Sequence, residues 1–115
     1  MKRILILVIL SITACGERKP KEPMEPIVLG ERIYKSRCMQ CHQWDGKGLL
    51  HERRYAADFT DPNGVLTRTD EDLTQSILNG VVSENGRMPA FKPILTQEDI
   101  TGVLLYIRST YGKEP

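Results

Sequence analysis

Two cysteines three residues apart, with a histidine directly after the second, constrain this chain more than any other feature: Cys38-Met39-Gln40-Cys41-His42. On a helix, positions i and i+3 share a face. Both sulfurs can then bond the two vinyl groups along one edge of a porphyrin, and the next residue points an imidazole at its iron. This spacing is the attachment pattern of a covalently held haem. Two other readings stay open. Half of a structural zinc site would show the same pair, but it needs two further Cys or His ligands at zinc-like spacing, and Cys15 and His51 are what remain. A thioredoxin-like redox pair needs a strand-helix-strand setting, and no apolar strand of that kind precedes Cys38.

A chain of 115 residues has room for one domain. Its aromatic content is 6%, with one Trp and two Phe, so a core built from side chains alone would be short of large apolar groups. A buried porphyrin would supply them. The net charge of +1 gives no sign of a nucleic-acid surface or an acidic tail.

The N-terminus reads as an export signal. Lys2 and Arg3 form a short basic region, Ile4 to Ile12 an apolar run, and Thr13-Ala14 a small-residue site before Cys15. The run is too short to span a bilayer. Ile12-Thr13-Ala14-Cys15 resembles a bacterial lipobox, with Ile in place of the commoner Leu three residues before the cysteine. The resemblance implies cleavage before Cys15 and acylation of that residue. An ordinary secretory signal with an incidental Cys is the competing reading; export follows from both. Acylation also accounts for an unpaired third Cys in an exported chain. Loss of residues 1–14 removes Lys2 and Arg3 and no acid, so attachment would rest on acyl chains rather than on basic attraction to lipid.

From Gly16 to Pro26 the chain is polar, with Pro20, Pro23 and Pro26 every third residue. Such a segment is an extended spacer of about 3.1 Å per residue, able to hold a domain roughly 30 Å from a membrane. The expected organisation is a lipoprotein signal peptide (1–14), a lipidated Cys15 with a Pro-rich tether (15–26), and one domain (27–112). The expected place is the periplasmic side of a bacterial membrane. Gly16 after Cys15 lacks the Asp that often retains such lipoproteins in the inner membrane, which leaves the choice of membrane open.

Within the domain, Pro26 suits the first turn of a helix. That helix is expected to carry Ile27, Gly30, Ile33, Tyr34, Cys38 and Cys41 along one side. Asp45-Gly46-Lys47-Gly48 and Asp61-Pro62-Asn63-Gly64 read as turns. Thr69-Asp70-Glu71-Asp72 announces a second helix that runs through Leu73, Ile77 and Leu78 to Gly80. Thr96-Gln97-Glu98-Asp99 announces the last, with Ile100, Val103, Leu104, Ile107 and Tyr111 on one face and Gly112 at its end. Strand-like alternation is absent, and the expected fold is all-α with long loops around one haem.

Taken together these features resemble the small monohaem class I cytochromes c. In that family an N-terminal helix with a Gly and an aromatic crosses a C-terminal helix with another aromatic; Gly30, Tyr34 and Tyr106 match those positions. Gly30 lets the helices approach closely. A sixth iron ligand is sought among Met24, Met39, Met88 and His51. Met24 lies in the tether, Met39 inside the attachment motif, and His51 nine residues beyond His42. Met88 stands in Asn85-Gly86-Arg87-Met88-Pro89-Ala90-Phe91, which resembles the family's M-P-x-F loop, and Pro89 steers Met88 away from helical angles. A lone Met is also a common gap-filler in cores.

The resemblance implies one covalent haem c on Cys38 and Cys41, with His42 and Met88 as axial ligands. It also implies a loop-proline carbonyl, here Pro62, as acceptor for the other ring N–H of His42. Trp44, Arg53, Arg54 and Tyr55 are candidates for the haem propionates, Arg54 foremost. The Ala57-Asp58-Phe59-Thr60-Asp61-Pro62 run looks like a stretch of some family members, without a mechanism attached. The implied function is one-electron transfer between membrane or periplasmic redox partners by a monomer that binds no nucleic acid and is not an enzyme. The competing functions are a gas-binding or sensor haem with a labile sixth site, and a peroxidase-like haem in which His51 would be the acid-base group.

Overall fold

The computed structural model describes residues 16, 22–51 and 54–112. Helix α1 spans Pro26–Ile33, with Pro26 at its first turn, where the missing N–H costs no bond. One wide π turn, Tyr34–Cys38, follows, and the Met39 N–H reaches five residues back to the Tyr34 carbonyl. Helix α2, Met39–His42, then completes a continuous helical run that ends where Gln43 takes φ 64°.

The last helix, α4 (Gln97–Tyr111), starts on a complete capping box. The Asp99 N–H donates to Thr96 Oγ1 at 3.2 Å and the Thr96 N–H to Asp99 Oδ2 at 2.8 Å. Helix α3 (Asp70–Asn79) uses half of the device, the Asp72 N–H donating to Thr69 Oγ1 at 3.2 Å. Three acids in its first turn also suit the positive end of its dipole.

Helices α1 and α4 cross at Gly30 and Gly102. A Cβ on Gly30 would fall on the Gly102 carbonyl, and one on Gly102 would stand 2.7 Å from the Pro26 oxygen. Backbone therefore rests on backbone here, and larger groups fill in around the contact. The Tyr34 ring lies 5.4 Å from the rings of both Tyr106 and Tyr111. Ile33, Ile100, Val103, Leu104 and Ile107 complete this part of the core, which Leu73, Ile77, Phe59 and Phe91 extend. Ile27, expected on the inward stripe, is 39% exposed.

Arg108 ties α4 to the chain entering α3. It donates to Asp70 Oδ1 at 2.6 Å and to the carbonyls of Leu66 and Arg68, each at 2.8 Å.

The fold is helical, as expected, with one correction: two short antiparallel hairpins stand where loops were anticipated. Strand β1 (Leu49–His51) pairs with β2 (Arg54–Ala56), and β3 (Val81–Ser83) with β4 (Gly86–Met88). The Tyr55 N–H joins the two by donating to the Asn85 carbonyl at 3.0 Å. Each strand is three residues long, and β3 is exposed throughout, so no buried face imposes an alternating pattern. Among the described residues no helix is long and apolar enough to cross a membrane.

Candidate functional site

The motif residues sit at the end of the long helical run, against the edge of the core. Cys38 is half-buried and packs on the core, whereas Cys41 is exposed. Burial pushes the Cys38 thiol up to about 11. Met39 also packs on the core, inside the motif.

His42 is held by a stretch that had no mechanism in the sequence. Its Nδ1 lies 3.2 Å from the Ala57 carbonyl, which can only accept, so Nδ1 carries the proton and Nε2 keeps its lone pair free. Burial lowers the imidazole's affinity for a second proton against the opposing pull of that carbonyl. The ring stacks on Phe59, centroids 4.4 Å apart and planes 15° from parallel. Phe59 is in turn fixed by its N–H to the Gly46 carbonyl at 2.7 Å. Asp58 folds the next turn back on itself, accepting from the Thr60 N–H at 2.8 Å and the Thr60 hydroxyl at 2.7 Å. Pro62, the expected acceptor, lies exposed in the turn that follows, so the imidazole's partner is corrected to Ala57.

Two tyrosines fix the backbone just past His42. Tyr34 donates to the Gln43 carbonyl at 2.7 Å and Tyr111 to the Trp44 carbonyl at 2.8 Å. The chain then doubles back through Gly46 (φ 72°), where a Cβ would lie 2.6 Å from the Tyr111 ring. A second bond, Gly48 N–H to His42 carbonyl at 3.1 Å, closes the loop on the histidine itself.

Met88 is half-buried and packs on the same core. It does not ride an irregular loop: it is the last residue of β4, opposite Val81, with Pro89 ending the strand. Cys38, His42 and Met88 thus border one apolar cluster, with Phe59 shared between the imidazole and the core.

The remaining candidates fall elsewhere. The Trp44 side chain is 77% exposed and Tyr55 51% exposed. The backbones of His51 and Arg54 face each other across the first hairpin. Their side chains, together with Arg53 and Cys15, lie outside the described residues. Gly102 escaped the sequence reading; Ala57 and Phe59 stood in a run without a mechanism, Gly80 marked a helix stop alone, and the tie between Gly86 and β2 was missed. The Asn85-Gly86 pair after Val81-Val82 was a usable hairpin signal for the last of these.

Comparison with known proteins bears on what this arrangement is for. The family described as "Cytochrome C oxidase, cbb3-type, subunit III" matches residues 25–107. Cytochrome c6 of Leptolyngbya boryana is 30% identical over 78 residues, 68% of this chain and 85% of that protein. The cbb3-type cytochrome c oxidase subunit CcoP of Rubrivivax gelatinosus is 29% identical over 98 residues, and the fructose dehydrogenase cytochrome subunit of Gluconobacter japonicus 31% identical over 111. This chain spans 30% and 22% of the length of those two larger proteins. The helical fold and these matches agree: the chain belongs to the cbb3-type subunit III family of cytochrome c domains, a monohaem c-type cytochrome that carries covalent haem c and transfers electrons.

Proposed function

We propose that the chain is a membrane-tethered one-electron carrier, with its haem bonded to Cys38 and Cys41 and its iron held between His42 and Met88. The observation that carries this reading is the bond from His42 Nδ1 to the Ala57 carbonyl. It leaves Nε2 as the nitrogen available to a metal and fixes the ring plane by the stack on Phe59. The donor set fits the group: two thiols at helical i, i+3 spacing, one of them exposed, an imidazole with one free nitrogen, and a soft thioether at the core edge.

When bound, the haem supplies a reversible one-electron couple. The chain's own residues tune it. A neutral thioether favours the ferrous over the ferric ion, and an apolar surround raises the potential further. His42 and Met88 would together hold the iron and leave no open site for oxygen or peroxide, which favours a carrier over a sensor or a peroxidase. The Ala57 bond and the Phe59 stack would hold the His42 ring in place beside the group.

The tether reading rests on the Cys15 segment and the Pro-rich spacer. Acylation at Cys15 would keep the domain at the periplasmic face of a membrane, where the spacer lets it move between a donor and an acceptor. Partners of the kind named in the relatives, an oxidase or a dehydrogenase, suit such a carrier.

The test is an optical spectrum and intact mass of the protein matured with haem. A low-spin His/Met spectrum, a mass increased by one haem and acyl groups, and no carbon monoxide binding by the ferrous form are expected. Met88→Ala should lose the thioether signature, lower the potential and admit carbon monoxide; an unchanged spectrum overturns the ligand assignment. Cys15→Ser should move the protein from membrane to soluble fraction, and persistence in the membrane overturns the anchor.

A further inference from the structure

The backbone around Met88 is approached on two sides by glycines that have no room for a side chain. A Cβ on Gly80, at the end of α3, would stand 2.7 Å from the Met88 carbonyl oxygen, 2.9 Å from the Ala90 nitrogen and 3.0 Å from the Pro89 carbonyl carbon. A Cβ on Gly86, two residues before Met88, would stand 2.7 Å from the Tyr55 oxygen and 2.8 Å from the Tyr55 nitrogen on β2. All these distances fall short of the 3.4 Å at which ordinary contact begins.

Beyond Met88 the chain is anchored again. Pro89 has a fixed φ, and the Phe91 and Lys92 N–H groups donate to the carbonyls of Ile77 and Leu78 at 2.9 and 3.1 Å. Those carbonyls belong to the last turn of α3, whose bonds would otherwise go to water. The hairpin of β1 and β2 therefore presses on one end of the Met88 segment and α3 on the other.

We propose that Gly80 and Gly86 are positioning residues for the Met88 thioether, holding its backbone by bare backbone contact so that a flexible side chain presents sulfur to the iron at one fixed distance. The proposal rests on the reading of Met88 as axial ligand. Methionine has three rotatable bonds and a weakly donating sulfur, so retention on a metal depends on where its Cα is held. Site geometry tolerates errors of about 0.5 Å. A methyl group inserted at 2.7 Å needs at least that much movement of β2 or of the Met88 segment.

The two glycines are not equivalent as tests. Gly80 has φ 74° and ψ 174°, a region glycine alone occupies comfortably, so Gly80→Ala mixes backbone strain with the contact. Gly86 has no positive φ, and Gly86→Ala isolates the contact.

The experiment compares haem-loaded wild type, Gly86→Ala and Thr96→Ala, which removes the α4 cap and serves as a stability control. The readouts are the thioether-to-ferric-iron absorption band, the potential, and the rate at which the ferrous protein takes up carbon monoxide. Gly86→Ala should weaken the band, lower the potential and speed carbon monoxide uptake roughly 10- to 100-fold, the range found when a ligand's support is removed. Thr96→Ala should lower the melting temperature and leave all three unchanged. Should Gly86→Ala not fold, Tyr55→Pro removes the N–H that donates to the Asn85 carbonyl and is expected to act in the same direction. A folded Gly86→Ala or Tyr55→Pro protein with wild-type band, potential and uptake overturns the positioning role. A wild type without the band instead overturns the Met88 assignment beneath it, and the proposal with it.

Discussion

The hydroxyl of Tyr111, in the last turn of α4, donates at 2.8 Å to the carbonyl of Trp44, two residues past the histidine of the attachment motif. Tyr34, whose ring lies 5.4 Å away, makes the equivalent bond to Gln43 at 2.7 Å. The first helical run and the last helix thereby meet at the carbonyls that follow His42.

Tyr34→Phe and Tyr111→Phe should each cost about 1 kcal/mol, since each leaves a carbonyl without its donor. Because the rings touch, the double variant should depart from the sum of the singles. Denaturant midpoints of the four proteins check this; strict additivity would mean that the two bonds act independently.

Stability should fall on the alkaline side. Burial raises both Tyr34 and Tyr111 above their ordinary value of 10.0. The unfolded chain thus loses these protons at lower pH than the folded one. Their contribution is complete below about pH 10 and declines as pH rises above it. Thermal unfolding followed across that region should show a steep loss in wild type and a shallower one in Tyr34→Phe.

Phe59→Ala removes both the core contact and the face on which His42 stacks. A buried Phe truncated to Ala costs about 3 to 5 kcal/mol, a large share of the stability of a domain this size. Phe59→Leu should recover much of the stability without restoring the stack. If the stack matters to the imidazole, the haem-loaded Leu variant will show an altered His-ligand signature at near-normal stability.

At the helix crossing, Gly30→Ala gains about 1 kcal/mol of helix propensity but drives a methyl onto the Gly102 carbonyl. Backbone meets backbone there, so no rotamer change relieves it, and overpacking of this kind costs about 3 kcal/mol or more. A lowered unfolding midpoint is expected. Gly16→Ala, with nothing within 4 Å, should show no change.

The parts legible in the sequence are those written in side-chain types. Thr69 and Thr96 mark helix starts because their hydroxyls have a local task, and Pro26 does so because its φ is fixed. Gly30, Tyr34 and Tyr106 could be placed at a crossing from the periodicity around them. The acceptor for His42 was misread because it is a main-chain carbonyl, which every residue has, and only the folded turn selects Ala57 over Pro62. The hairpins were missed because strands of three residues, one of them exposed throughout, are too short to show a hydrophobic period. Gly102 went unnoticed because a glycine inside a helix announces weakness, and its use appears once Gly30 is seen against it.

The wide turn at Tyr34–Cys38 changes how lengths count along the first helical run. Residues beyond it stand about 100° out of phase with the straight extrapolation of α1, one residue's worth of rotation. This is why a stripe drawn from Ile27 to Cys41 ends in an exposed sulfur although Tyr34 is buried. A single deletion inside 34–38 could be absorbed by tightening the coil to an ordinary α-helical turn, with the register on both sides kept. The same deletion inside 39–42 has no such slack and would swing the imidazole away from its carbonyl.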